Sequence, residues 1–508
     1  MLSSQIVRNE ANEVTSGNDV YTTYQPIWQS LLESYMGGED YRRANNLVRY
    51  QMENDGEYAA RLRAAPLENH CKSILNVYSA FLFRQQPQRD LGSMEYDPRI
   101  EAMLEDADYE GRSMNNFMKQ ASIWSGVFGH CWITVHKPNI GAQTLADEYA
   151  AGLRPYLCLL TPLAVLDWQY TRTSIGSYRL NLFKYLEDVN GDIKTVKIWQ
   201  PEEITTIQYD ERKKIIVEEI VEPNQLGMIP AVIAYATKGP VRGLGISDIQ
   251  DIADCQRMIY NSLSEIDQSI RLDSHPSLVT TTEVSVGTGA GALIQLPDNM
   301  DAALKPYVLD FGGANVGNIL QVINHLTGAI DKMANTGAIR TTETRTASGI
   351  AIQTEFELLN ARLAERADNL ELAEEQIWEI VAQYMGQTWD GVITYPDSFN
   401  IRDDANELSK LSQAKMIATD PRLLQSIDLK LAELMDFEVE DVLEAEAGLV
   451  EEEGEYPEHA ATTPENRTAH IQQMIMDGYT DEEILSIHPE ITADDILVAK
   501  QQLLGLEE

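Results

Sequence analysis

The stretch from Gly243 to Met385 leaves this chain the fewest choices. Two apolar stripes run through it. The first is Ile249, Ile252, Ile259, Leu263, Ile266 and Ile270, and the second is Val316, Ile319, Ile323, Leu326, Ile330 and Met333, at a strict 3,4,3,4,3 spacing. Side chains recurring at three and four residues stay on one face of a helix, so each stripe predicts an amphipathic helix with one buried side. The face opposite the second stripe carries Asn318, Gln321, Asn324, His325 and Asp331, polar but with little charge. That composition suits a wall that stays wet without gripping what passes it.

Ser247 is a good cap for the first helix, with Asp248 and Asp251 in the first turn, where the helix dipole favours acids. The helix would run to Leu272, about 39 Å at 1.5 Å per residue, and Pro276 ends it. Residues 277–312 alternate Val, Thr, Gly and Leu and predict a small β-rich insert with a loop tip at Gly287, Thr288, Gly289, Ala290 and Gly291. Gly312-Gly313 hands over to the second helix at 314–334. Thr336 to Thr346 holds Arg340 and Arg345 among five threonines, too polar to bury and too β-branched to continue a helix comfortably, so a mobile loop is expected. Ser348 then starts a helix to about Met385, about 57 Å long.

Upstream, residues 17–85 read as helical, with a basic amphipathic stretch at Tyr41–Arg63, and a further helical stretch covers Ile100–Phe128. Short β-rich runs follow at His130–His136, Tyr156–Leu160, Tyr178–Tyr185, Thr195–Trp199, Thr205–Tyr209, Ile215–Ile220 and Ala231–Tyr235. With Asn190-Gly191 as a tight turn, they predict an antiparallel meander. A short strand at Val392–Tyr395 and a helix at Ala405–Thr419 precede an acidic helical tail, where acids outnumber bases about ten to one from Asp436 onward.

At 508 residues and 44% hydrophobic content the chain can bury substantial cores. No window has the apolar length of a membrane span, and the N-terminus, with Glu10 and Glu13, does not read as a signal peptide, so the expected site of synthesis and residence is the cytoplasm. Cys71, Cys131, Cys158 and Cys255 lie far apart in no metal-knuckle spacing and are expected to be small buried thiols. A net charge of −41 argues against a surface that holds nucleic acid by neutralising phosphates.

Enzyme signatures fail one by one. The glycine run at Gly287 lacks the Lys-Ser/Thr ending of a phosphate loop, and no helix N-terminus follows it to hold an anion. His130 and His136 share one face of a strand but stand about 20 Å apart, too far to share a metal. The segment Met474–Ala499 resembles a helix-turn-helix, yet its second helix carries Asp494 and Asp495 with only Lys500, the wrong charge for reading DNA. No catalytic residue, cofactor or metal is expected.

The order of these pieces resembles the portal proteins of tailed bacteriophages. The residues that carry the resemblance are Leu226-Gly227-Met228-Ile229-Pro230-Ala231-Val232, Gly245-Ile246-Ser247-Asp248-Ile249, Tyr260-Asn261, and Ser348-Gly349-Ile350-Ala351-Ile352-Gln353 leading into the long helix; the likeness covers about 40–420. It implies an α+β, portal-like fold: a β-rich wing (1–245), stem helix 1 (246–272), a small β-containing clip (273–313), stem helix 2 (314–334), a tunnel loop (335–347), the long helix and remainder of the wing (348–420), and an α-helical, acidic crown (421–508). It further implies a ring of about twelve copies at one capsid vertex of the virion, assembled in the host cytoplasm, through which double-stranded DNA enters and leaves without sequence recognition. The implied partners are the terminase, the major capsid and scaffolding proteins, and head-completion, adaptor and tail proteins, with no membrane.

In that scheme Asn318, Gln321, Asn324, His325 and Asp331 line the channel. Arg340, Thr341, Thr342, Glu343, Thr344 and Arg345 form the tunnel loop, and Gly287, Thr288, Gly289 and Gly291 form the clip tip. The two arginines either touch passing phosphates or pair with Glu343 or with acids on the long helix. Two other classes remain open: a terminase or other DNA-processing enzyme would need a phosphate loop or clustered carboxylates, while a tail adaptor would share the acidity but not the helix, insert, helix, long-helix order.

Overall fold

A computed structural model describes residues 14, 16–138, 145–274, 277–279, 301, 307–309, 314–340 and 349–399, with short stretches between 411 and 503. The chain divides into two compact units, Met1–Asn400 and Ile401–Glu508. Helices and sheets are mixed in the first unit, an α+β arrangement.

The N-terminal layer is helical: α1 (Asp19–Met36), α2 (Gly38–Arg43), α3 (Asp55–Ala64), α4 (His70–Leu82), α5 (Pro98–Glu105) and α6 (Met114–Phe128). Local chemistry sets these starts. The Asn18 side chain accepts from the Val20 N–H, Asn54 and Glu57 form a reciprocal capping box, and Asn69 accepts from the Lys72 N–H. The basic amphipathic stretch from Tyr41 to Arg63 is interrupted between α2 and α3, where Asn45 takes a positive φ of 57°.

The expected single meander is two sheets. Strands β4 (Val165–Arg172), β5 (Tyr178–Asn190), β6 (Ile193–Trp199), β7 (Glu203–Asp210) and β8 (Ile215–Pro223) form one antiparallel sheet in sequence order, with Gly191 at φ 61° in the β5–β6 turn. In the other sheet β2 (His130–His136) lies between β3 (Tyr156–Leu160) and β9 (Ala231–Tyr235). All seven residues of β2 are buried, which demands a neighbour on both edges. Strand β4 went unread although Trp168 and Tyr170 alternate with Asp167 and Gln169 at a strand's period, and Asp167 is held by the Asn18 side chain.

After Thr237–Lys238 and Gly245–Ile246 pair as a short ladder, helix α8 spans Gln250–Ser274 and α9 spans Ala314–Met333; a helix at Leu145–Ala150 is α7. Between α8 and α9, Ser277–Val279 pairs antiparallel with Tyr307–Leu309. The glycine tip at 287–291 lies outside the described residues. A four-residue helix, α10 (Gly337–Arg340), follows α9, and α11 (Gly349–Met385) then runs through the core. Leu359, Leu363, Ala367, Leu370, Ile377 and Trp378 on α11 are buried, and Val392–Thr394 returns to pair with Gln88–Asp90. One continuous core joins α1, α4, α6, both sheets, the α8–α9 pair and α11.

Cys71 and Cys131 are buried, Cys158 and Cys255 only half-buried, and all four are free thiols. Burial pushes the Cys71 and Cys131 thiols up to about 12. In the second unit, Ile471, Met474, Ile484, Ile491, Ile496 and Ala499 make a small core. Its last helix, α12 (Ala493–Leu503), opens on a reciprocal cap between Thr492 and Asp495.

Candidate functional site

Helix α8 is fixed by polar side chains at one turn after another. The Gln256 amide, fully buried, accepts from the Cys71 N–H on α4 at 2.9 Å and donates to the Ser34 carbonyl on α1 at 3.0 Å. Further along, Asn261 accepts from the Val48 N–H at 2.8 Å and donates to the Asn46 carbonyl at 2.9 Å. Arg61 reaches Ser264 at 3.3 Å while held by Glu53 at 2.7 Å, and Tyr50 donates to Glu265 at 2.7 Å. The Glu53 carboxyl is held below its ordinary range by its hydrogen bond from Arg61.

Before α8 starts, Ser247 accepts from the Ile249 N–H at 3.2 Å and donates to the Val127 carbonyl at 2.7 Å. The helix therefore begins at Gln250 rather than Ser247, and Asp248 is not a solvent-facing first-turn acid. Asp248 is buried and takes Arg362 at 3.1 Å and Arg366 in direct contact, both from α11. Arg366 also donates to the Ser122 carbonyl at 2.5 Å. Charge paired and hydrogen-bonded in this way is the form in which burial is tolerated.

The chain entering α8 is set by a second network. The Gly245 N–H donates to His130 Nδ1 at 3.3 Å, which leaves the imidazole proton on Nε2 for Tyr21, 2.6 Å away. Tyr21 accepts also from Trp132 Nε1 at 2.9 Å and donates to the Gly243 carbonyl at 2.9 Å. Burial holds His130 down to about 3, and burial with Lys197 nearby holds His136 down to about 4. Gly245 is required at its place: a Cβ there would stand 1.9 Å from the Gly129 carbonyl oxygen.

Helix α9 is held differently. Ile323 and Ile330 are buried, and Ile319 and Leu326 are half-buried against the same core, while Met333 at the end of the stripe is exposed. On the opposite face Asn318, Gln321, Asn324 and His325 are all exposed. Asp331, expected on that face, is buried instead. It pairs with Arg340 at 3.0 Å, because α10 folds back across the end of α9 and brings the guanidinium to it.

The C-terminal end of α9 is pinned by several elements. Tyr78 on α4 donates to the Ala334 carbonyl at 2.6 Å, Arg362 donates to the Met333 carbonyl at 2.9 Å, and the Thr336 N–H donates to the Asp331 carbonyl at 3.0 Å. These carbonyls have no partner within the helix, so the outside donors satisfy them. Thr336, expected in a mobile polar loop, is buried, and Arg340 is helical and only 16% exposed at its side chain. Arg340 donates to His70 Nδ1 at 3.0 Å, and Glu68 stands 3.4 Å from His70 Nε2. Burial and then Arg340 hold His70 below its ordinary value, against the opposing pull of Glu68 and Asp331. Thr341, Thr342, Glu343, Thr344 and Arg345 lie outside the described residues.

Asp248, Gln256, Arg362 and Arg366 are the site residues that sequence reasoning missed. A signal was present: Arg362 and Arg366 are the two bases on a helix with eight acids, four residues apart and so on one face. Among the described residues no helix is long and apolar enough to cross a membrane, and no group of three His, Cys, Asp or Glu could hold a metal ion.

No protein-family profile and no curated protein sequence matches the chain. Among solved structures, it is similar to a chain from the neck of an empty gene transfer agent (GTA) particle computed with C6 symmetry, at 10% identity and a TM-score of 0.41, covering 76% of this chain and 95% of that one. It is also similar to a chain of the native gene transfer agent virion, at 9% identity and a TM-score of 0.39, covering 75% and 93%. A third is from the neck of the native particle computed with C12 symmetry, at 9% and 0.41, covering 76% and 95%.

Proposed function

We propose that the chain is a portal-type head-to-tail connector, one of about twelve copies around a channel for double-stranded DNA, with the uncharged face of α9 turned to the lumen. The observation that carries this reading is the division of α9 into an apolar side seated on the core and an uncharged exposed side, where Asn318, Gln321, Asn324 and His325 stand with Leu320 and Val322. A phosphate bound by a fixed cation must be released again at each step of a moving duplex, so an uncharged wall favours passage. Copies at −41 each would give a ring near −490, which repels the duplex from the walls.

In this reading α8 and α9 are the stem, and the insert that begins at Ser277–Val279 and returns through Tyr307–Leu309 is the clip, facing first a terminase and then head-completion proteins. The wing is 1–245 with 348–420, meeting capsid and scaffolding proteins, the tunnel loop is 335–347, and the crown is 421–508. Work on the DNA would come from a separate motor, and this chain would supply the conduit. Native mass spectrometry of the purified chain tests the reading: a closed oligomer of about twelve is expected. A monomer that turns over nucleotide would overturn it in favour of a DNA-processing enzyme.

A further inference from the structure

The cluster that closes the end of α9 does more than fill space, because one of its members can hold its partner in only one protonation state. Arginine only donates, so the 3.0 Å contact between Arg340 Nη2 and His70 Nδ1 requires that Nδ1 be bare. The single imidazole proton then sits on Nε2, toward Glu68 at 3.4 Å. On its other side the guanidinium meets Asp331 at 3.0 Å. A second proton on His70 would remove the acceptor and set two cations face to face at hydrogen-bond distance, in surroundings where water screens them little.

We propose that His70, Arg340 and Asp331 form a proton-released clasp: neutral His70 and ionised Asp331 together hold Arg340, and through it α10, against α4 and the end of α9, and a proton on His70 lets Arg340 go. The charged groups facing His70 are Glu68 from the turn before α4, Arg340 from α10 and Asp331 from α9. Glu68 and Asp331 draw a proton to the imidazole; burial and Arg340 oppose it, so the clasp is closed at neutral pH and opens on acidification. While it is closed, Arg340 is withheld from any passing polyanion, and of the two roles expected for it, phosphate contact or pairing with Glu343 or long-helix acids, it takes a variant of the second, with Asp331 as the acid. That consequence rests on the channel reading, whereas the clasp itself does not.

The test is hydrogen exchange by mass spectrometry on the full chain, reading the amides of Ile339 and Arg340, which bond to the Thr336 carbonyl at 3.0 Å. Rates are corrected for intrinsic pH dependence, with β2 amides as the control for an intact fold. In the wild type, protection should fall at least about tenfold between about pH 7.5 and the lowest pH at which the β2 amides stay protected, the size expected for losing a charge-assisted hydrogen bond. His70→Gln keeps an acceptor that does not titrate and should stay protected at both values. Arg340→Ala should be open at both, and Arg340→Lys, whose single nitrogen replaces the two that meet His70 and Asp331, should be open as well.

A wild-type pH response that survives in His70→Gln, or protection unchanged in Arg340→Ala, would overturn the clasp. Failure of the wild type to form rings would instead overturn the channel reading and leave these exchange results standing.

Discussion

Two neighbouring helices of similar character in sequence are held in opposite ways. Helix α8 is tied by Gln256, Asn261, Ser264 and Glu265 to three N-terminal segments, and its entry is tied by Asp248 to α11. Among the described residues, no side chain of α9 from Asn318 to Ile330 forms a hydrogen bond or ion pair with another element; that helix is seated by its apolar stripe and pinned only at its last turn. Hydrogen-bonded networks specify one position, whereas apolar contact is non-directional. The difference separates a fixed strut from a helix whose outer face is left free for other duties.

Acid should also weaken β2, whose two histidines are buried. His130 and His136 fold with values of about 3 and about 4, below the ordinary 6.5. The unfolded chain therefore binds more protons in that window. Their contribution is complete above pH 6.5 and is lost as the pH falls toward those folded values, at about 1.4 kcal/mol per pH unit for each group. Urea unfolding at a series of pH values should show this slope, and His136→Gln should flatten it; an unchanged slope in that variant would remove His136 from the account.

Next in size is Asp248→Ala, which strips the partner from the buried Arg366 and the half-buried Arg362 and should cost about 3–5 kcal/mol in the same unfolding measurement. On α9, Ile323→Ala should cost about 2–4 kcal/mol through the lost side chain and the cavity it leaves. Asn324→Ala, one residue away, should change stability by no more than about 0.5 kcal/mol. A large loss in Asn324→Ala would mean that the polar face is structural and would erase the contrast between the two helices.

How much of this was legible depends on the range over which each feature is determined. The α9 stripe and its exposed face are written in a helical period, so Ile323 and Asn324 could be assigned to opposite sides from spacing alone. Asp331 shares that polar margin by period but is buried, because its partner Arg340 comes back across a turn at Asn335, whose positive φ of 55° no spacing argument foresees. Strand alternation located β2 and β9 but not their pairing, since alternation marks the faces of a strand and says nothing of its neighbours. Asp248 looked like an ordinary helix-start acid because Arg362 and Arg366, which bury it, lie more than a hundred residues later.

The central claim is that the free face of α9 borders a channel, and electron cryomicroscopy of the assembled protein tests it most directly. The account predicts a closed ring in which Asn318, Gln321, Asn324 and His325 face the lumen while Ile323 and Ile330 pack inward on α8. A ring with Ile323 and Leu326 toward the lumen, or with the polar face of α9 buried between copies, would contradict it.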